Sequence, residues 1–353
     1  MEIIQIEGPY DKRGMSHFLE VATKVYEHDP IWVPQSETAF TQRFKDSNTQ
    51  KRYSMWPIIA LEDNSPVARA VAILATNAMD EVGHCQGWIG FFEVLKEYQD
   101  AAKYVLQRCE TILQVEGAQS VLAPKVDSLL VGLLTDGFGL PQTVLTNHNP
   151  PYYLGVFQDC GYEVYSRMRT FYFTRETVRR LQVEIPGFTT REFDKNRLPQ
   201  EIAIFNKLQS SIFGRRIGYV VRTLEEDQEM VQSFIPFLDD ELVIIAEDRD
   251  LNPVGLLICL PDVYQTLRVQ QIDRARIISI GVVPGLDRKG IGVAMSSHLM
   301  RNLLKKGYQT AEVAWILENN RLPQNLAKRF NARSGREFTL LRKQCVSATR
   351  KDI

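Results

Sequence analysis

The stretch that decides the fold of the second half of the chain is residues 277–292, which read IISIGVVPGLDRKGIG. Its first seven residues are rich in β-branched side chains, which is typical of a strand buried on both faces. The next residues are rich in glycine and lead into a helix with apolar side chains at helical spacing. Four of these share one stripe: Ile291, Met295, Leu299 and Leu303. The sequence therefore predicts a strand, a glycine-rich loop and an amphipathic helix in direct succession.

This arrangement is typical of a binding site for a pyrophosphate. The first N–H groups of a helix are free, and the positive end of its dipole attracts an anion. Gly290 and Gly292 lack a Cβ and let phosphate oxygens approach the backbone, while Arg288 and Lys289 add positive charge. The alternative is that the glycines only relieve packing and that both basic side chains are solvated. The spacing fits neither the P-loop pattern nor the three-glycine dinucleotide fingerprint.

The rest of the chain predicts two domains with one plan. Strands alternate with helices, which favours a mixed α/β fold. Two hairpins have similar sequences, IIALEDNSPVARAVAI at 58–73 and VIIAEDRDLNPVGLLICL at 243–260. Each has an apolar run, an acidic pair, a polar turn and Pro-Val before the returning strand. We therefore expect tandem domains at 1–175 and 186–345.

The strand, glycine-rich loop and helix start at residues 277–292 resemble the GNAT superfamily of N-acetyltransferases. The likeness is specific over about residues 240–342. Val282-Val283-Pro284 and the loop through Gly292 follow the family's acetyl-CoA segment, except that Asp287 stands where the family usually has Arg or Gln. Asn320 falls at the usual asparagine after the next strand. The resemblance implies two tandem GNAT-like domains, each a mixed, mostly antiparallel sheet flanked by helices. It also implies these acyl-CoA contacts: Val282, Val283, Arg288, Lys289, Gly290, Ile291, Gly292, Val293, Ala294 and Asn320.

The first half is similar to the family in outline only. No glycine loop follows its strand at 87–93, and Glu93 and Glu97 would face a phosphate with like charge. Tyr152 and Tyr153 are expected either to pack within this half or to line a substrate cleft. The resemblance therefore implies a degenerate N-terminal domain that has lost the cofactor.

The resemblance implies acyl transfer from acetyl-CoA to the amine of a small molecule or peptide, by direct attack in a ternary complex. The N–H of Val282 would stabilise the thioester oxygen, and Glu318 would accept the amine proton, with Glu312 as second choice. The tyrosine that most relatives use seven residues after the asparagine is replaced by Ala327. This loss and Asp287 leave two alternatives open: a catalytically inactive CoA-binding module, or a transferase with a longer acyl donor.

The composition of the chain narrows the range of partners and locations that we expect for the protein. The chain has 42 Lys and Arg against 43 Asp and Glu, so no general basic surface exists to bind nucleic acid. Apolar runs are far shorter than the roughly 20 residues that span a bilayer, so we expect no membrane partner. Five cysteines lack the spacing of zinc ligands, and we expect no metal. The N-terminus lacks the composition of a signal peptide, which predicts a cytoplasmic protein.

Overall fold

The computed structural model describes the chain except residues 9, 35, 36, 46, 77, 127–129, 179–182, 184, 215–218 and 346–353. The chain forms two compact units. The first unit contains Met1–Arg167 and Glu337–Ile353, and the second unit contains Met168–Arg336. Each unit thus includes most of a strand that ends the other half of the chain. The predicted division at 1–175 and 186–345 follows chain order instead, and stays a prediction about domains.

The elements of the first half follow the predicted alternation of strands and helices. In chain order they are β1 (Glu2–Gln5), α1 (Lys12–Val25), α2 (Glu37–Lys45), α3 (Ser47–Arg52), β2 (Tyr53–Glu62), β3 (Ser65–Ala75), β4 (Gln86–Val94), α4 (Gln99–Val115), β5 (Ser120–Ala123), β6 (Leu133–Asp136), α5 (Tyr153–Asp159) and β7 (Glu163–Thr174).

The second half repeats this plan. Its elements are α6 (Arg175–Val178), β8 (Phe188–Glu192), α7 (Leu198–Phe213), α8 (Leu224–Phe234), β9 (Val243–Asp248), β10 (Pro253–Pro261), β11 (Arg274–Val282), α9 (Ile291–Lys305), β12 (Thr310–Leu317), α10 (Arg321–Arg329) and β13 (Arg333–Gln344). The predicted cap of α8 is confirmed, because Thr223 and Glu226 form a reciprocal capping box.

Each unit contains one mixed sheet. The first has the strand order β1-β2-β3-β4-β5-β13, and β6 also pairs with β13. The second has the order β8-β9-β10-β11-β12-β7. Among the described pairings, β4 with β5 and β11 with β12 run parallel, while the others within a unit run antiparallel. The predicted fold class, a mixed and mostly antiparallel sheet flanked by helices, is confirmed.

The apolar stripe of α9 covers one face of the second sheet. Ile291, Met295, Leu299 and Leu303 are all buried, as the helical spacing predicted. They share a core with apolar residues of β9, β10, β11 and β12 and with Ala327 and Phe330 from the α10 segment. This packing fixes the start of α9 at the end of β11, where the candidate site lies.

Candidate functional site

The parallel pairing of β11 and β12 ends before either strand does. It runs from Arg274 opposite Thr310 to Ile277 opposite Val313, and no further pair is formed by the described residues up to 317. A β-bulge lies at the same point, because Ile277 and Ser279 face consecutive residues of β10. A bulge bends its strand and interrupts the ladder. The last residues of both strands, 278–282 and 314–317, therefore border a gap in the sheet.

The backbone of Val282 points into this gap. Val283 donates its N–H to the carbonyl oxygen of Val254 at 2.9 Å, while Val282 lies opposite Gly255. Opposed residues in an antiparallel pair alternate between bonded and non-bonded pairs. Val282 is thus in a non-bonded pair, and its N–H and C=O are directed away from β10 and toward β12. This direction is compatible with the predicted role of the Val282 N–H as the donor that stabilises an oxyanion.

The loop after β11 turns the chain into the start of α9. Arg288 and Gly290 both have positive φ, 65° and 84°. The N–H groups of Val293 and Ala294 bond to the carbonyl of Gly290 at 2.9 and 3.0 Å. Those of Ile291 and Gly292 have no backbone partner within the described part of the chain. The helix start therefore offers free donors beside the gap, with the charges of Arg288 and Lys289 exposed next to them.

The two glycines of this loop have different roles, although the sequence suggested one role for both. A Cβ on Gly290 would lie 2.8 Å from Cδ1 of Ile185, and its φ of +84° already strains any other residue. A Cβ on Gly292 would meet only Cδ1 of Ile280, at 4.0 Å. Gly290 is therefore required by the backbone, whereas Gly292 leaves open space where an anion would approach.

The predicted base and asparagine lie at the same edge of the sheet as Val282, because parallel strands end on the same side. Glu318 is exposed in the turn after β12, and its carbonyl accepts a bond from Nε2 of Gln324 at 2.8 Å. Asn320 caps α10 and donates its N–H to the carbonyl of Leu317 at 3.0 Å. The fold thus brings Val282, the glycine loop, Glu318 and Asn320 to one edge.

Glu312, the second candidate base, is held in a buried ion network. Its Oε1 accepts a hydrogen bond from Nη1 of Arg336, which also bonds to the hydroxyl of Tyr172. Both Glu312 and Arg276, its neighbour in register on β11, are fully buried. Burial lowers the pKa of Arg276 to about 10, and the charge of Glu312 opposes this shift. A carboxylate paired in this way is a poor proton acceptor, so the geometry does not support Glu312 as the base.

At the equivalent edge of the first unit, two tyrosine hydroxyls form hydrogen bonds to the backbone. Leu95 donates its N–H to Val67 at 2.9 Å, as Val283 does to Val254, so Val94 occupies the position of Val282. The N–H of Val94 bonds to the Tyr153 hydroxyl at 2.9 Å, and its carbonyl accepts the Tyr152 hydroxyl at 2.6 Å. All nine residues of β4 are buried, whereas the last five of β11 are partly exposed.

The carboxylate of Glu93 is held by hydroxyl groups beside these bonds and does not face an open site. It accepts hydroxyl bonds from Tyr153 at 2.6 Å and Tyr26 at 2.9 Å, and Arg69 lies 3.6 Å away. Burial raises the pKa of Glu93 above its ordinary value, and Arg69 opposes that shift. Sequence reasoning expected Glu93 to repel a phosphate but missed this network. The adjacent residues Tyr152 and Tyr153 were the one sign of this network in the sequence.

Comparison with solved structures identifies the architecture. A tandem GNAT protein from the clavulanic acid biosynthesis pathway matches 99% of this chain and 99% of its own, with a TM-score of 0.62 and 8% identity. The chain has the tandem GNAT fold. A GCN5-related N-acetyltransferase from Sphaerobacter thermophilus shares this fold, with a TM-score of 0.60 and 15% identity over 98% of this chain and 97% of its own.

Two curated proteins are similar to this tandem GNAT chain over almost its whole length. Protein YghO of Escherichia coli is 22% identical, covering 95% of this chain and 94% of its own. A bacterial ceramide synthase of Caulobacter vibrioides is also 22% identical, covering 93% of each chain. No family model matches the sequence.

Two features are absent from the part of the chain that the structure describes. None of the helices there combines the length and apolar character needed to cross a bilayer. Within the same residues, His, Cys, Asp and Glu side chains do not gather in groups of three that would ligate a metal.

Proposed function

We propose that the second unit is an acyl-CoA-dependent N-acyltransferase. The observation that carries this proposal is the free Val282 N–H in a gap of the sheet, beside the free N–H groups at the start of α9. The Val282 N–H suits the polarised carbonyl oxygen of a thioester. The N–H groups at the start of α9 suit a pyrophosphate. An acyl-CoA contains both features in one molecule, separated by its pantetheine arm.

In the proposed complex, Val282 and Val283 line the thioester arm. The pyrophosphate contacts the loop and helix start: Arg288, Lys289, Gly290, Ile291, Gly292, Val293 and Ala294. Asn320 contacts the arm from the end of β12. These assignments combine the expectation from the family motif with the free donors at the sheet edge.

The proposed chemistry is direct transfer. The amine nitrogen attacks the thioester carbon, the Val282 N–H stabilises the negative charge on oxygen, and the C–S bond then breaks. Glu318 accepts the proton from the amine. The coenzyme leaves as a thiolate and takes its proton from water, because the buried Ala327 stands where relatives have a tyrosine.

We further propose a long-chain acyl donor and a lipid amine acceptor, rather than acetyl transfer to a small molecule or peptide. The similarity to a bacterial ceramide synthase over 93% of both chains supports this substrate class, because a ceramide is the amide of a fatty acid and a long-chain amino alcohol. The partly exposed apolar end of β11, including Ile278, Ile280 and Val282, supplies an apolar wall for such a chain.

The proposal is tested by the melting temperature of the protein with acetyl-CoA, a long-chain acyl-CoA or CoA, and with ATP and NAD as controls. A ligand at 100 times its Kd adds about 2.7 kcal/mol to stability. We expect the largest shift with the long-chain ester, and release of free CoA thiol when a long-chain amino alcohol is added. Stabilisation without thiol release would favour a CoA-binding module. No shift with any thioester would contradict the proposal.

A further inference from the structure

The segment that precedes β8 forms a tight turn at residues 185–188. Phe188 donates its N–H to the carbonyl oxygen of Ile185 at 3.1 Å, and the two residues also form an antiparallel bridge. Pro186 follows Ile185, and Gly187 has a φ of 85°. Proline at the second position and a positive φ at the third are typical of a type II turn. The backbone of this turn therefore fixes Ile185 relative to Phe188.

This turn is anchored to the core that α9 covers. Phe188 begins β8 and lies opposite Asp248 of β9. Its half-buried side chain packs against the core that contains Ile291 and Met295 of α9. The turn thus has a fixed place relative to the sheet and to α9, and Ile185 shares this place.

Ile185 lies directly against Gly290, the last residue before α9. A Cβ added to Gly290 would lie 2.8 Å from Cδ1 and 3.5 Å from Cγ1 of Ile185. Apart from Gly290 and its chain neighbours, no other described residue has an atom within 4 Å of that point. A Cβ on Gly285, near the other end of the loop, would meet nothing within 4 Å. Ile185 is therefore the outside contact of the loop at its junction with the helix.

The glycine-rich loop, residues 284–290, needs such a contact because its backbone is strained and much of it is solvated. Arg288 has a φ of 65°, an uncommon conformation for a residue with a Cβ, and residues 287–289 are exposed. Strained conformations persist when the surrounding structure fixes them. The end of this loop is fixed by the contact of Ile185 with Gly290 and by the burial of Ile291, which is 1% exposed.

We propose that Ile185 is a positioning residue for the glycine-rich loop. Its contact fixes Gly290, whose carbonyl accepts the N–H groups of Val293 and Ala294 at 2.9 and 3.0 Å in the first turn of α9. The free N–H groups at the helix start then keep one direction before a ligand arrives, which reduces the ordering cost of binding. That the ligand carries a pyrophosphate rests on the proposed function, whereas the ordering of the loop by Ile185 does not.

The test compares the Kd of a long-chain acyl-CoA with that of the matching acyl-pantetheine, which has the thioester but no pyrophosphate. Ile185→Ala removes the contact and should raise the Kd of the acyl-CoA at least fivefold without changing that of the acyl-pantetheine. Ile185→Leu keeps the same number of carbon atoms and should stay near the parent with both ligands. Ile272→Ala removes a half-buried isoleucine from the loop before β11 and should also leave both affinities unchanged.

Amide hydrogen exchange without ligand measures the ordering of the loop directly. In Ile185→Ala we expect the amides of Val293 and Ala294 to exchange at least threefold faster, because the residue that accepts their bonds is loosened. Ile185→Leu and Ile272→Ala should show parental exchange there. Unchanged exchange in Ile185→Ala would overturn the positioning role, as would an equal loss of affinity for both ligands. If the parent protein bound no acyl-CoA, the proposed function would fail, while the exchange result would still decide whether Ile185 orders the loop.

Discussion

Val94 and Val282 occupy the same position in the two units, but the polar backbone groups of Val94 are bonded to tyrosine hydroxyls, whereas those of Val282 face a gap. The bonds of Val94 are 2.9 Å to Tyr153 and 2.6 Å to Tyr152. In the second unit, Leu322 and Pro323 lie in the first turn of α10 and have no hydroxyl. The same fold is thus closed in one unit and open in the other.

Replacing Tyr153 with Phe should destabilise the first unit without affecting the candidate site. The change leaves the buried N–H of Val94 without its acceptor, a loss that costs about 1–3 kcal/mol, and removes one of the donors to Glu93. Denaturant unfolding should record this loss. Tyr104→Phe is the matched control, since Tyr104 is 51% exposed. A changed Kd for acyl-CoA in Tyr153→Phe would contradict the view that the first unit does not bind the cofactor.

Replacing Asp287 with Arg should tighten acyl-CoA binding. Asp287 is exposed beside the free helix start, where its charge opposes that of a pyrophosphate. We expect a Kd several-fold lower at low salt, about 1 kcal/mol, and a smaller gain at high salt because ions screen exposed charges. Asp250→Arg makes the same charge change in the exposed β9–β10 turn and serves as control. Equal gains in both variants would argue against a phosphate at this loop.

Replacing Glu318 with Gln should lower kcat and leave the Kd for acyl-CoA close to that of the parent. A general base contributes about 10²–10⁴ to rate, and Gln keeps the size of the side chain without accepting a proton. Single-turnover rates of thiol release provide the measurement. An unchanged rate would remove Glu318 from the mechanism, and a matching Glu337→Gln variant would show whether any loss is specific to this carboxylate.

The sequence was sufficient to predict the architecture because periodicity and loop chemistry are local properties. The strand at 277–283, the glycine loop, the stripe of α9 and the capping box at Thr223 all lie within a few residues of their determinants. These features, together with the family motif, predicted the tandem fold. The strand exchange that places β7 in the second unit and β13 in the first depends on long-range pairing, which no local pattern indicates.

Long-range contacts also explain what sequence reasoning missed at the site. Glu312 looked like an available carboxylate, yet Arg336, 24 residues away, holds it in a buried pair. Tyr153 and Val94 are 59 residues apart, so their bond was not predictable from spacing. The difference between Gly290 and Gly292 depends on the position of Ile185, more than 100 residues earlier.

The central claim is that the start of α9 binds the pyrophosphate of an acyl-CoA, and Gly292→Ala tests it most directly. The added Cβ has open space in the protein and should raise helix stability by about 0.5–1 kcal/mol. Gly155→Ala makes the same change at an open position of α5 in the first unit. By titration calorimetry with a long-chain acyl-CoA, we predict at least tenfold weaker binding for Gly292→Ala and parental binding for Gly155→Ala. Parental affinity in a folded Gly292→Ala variant would contradict the account.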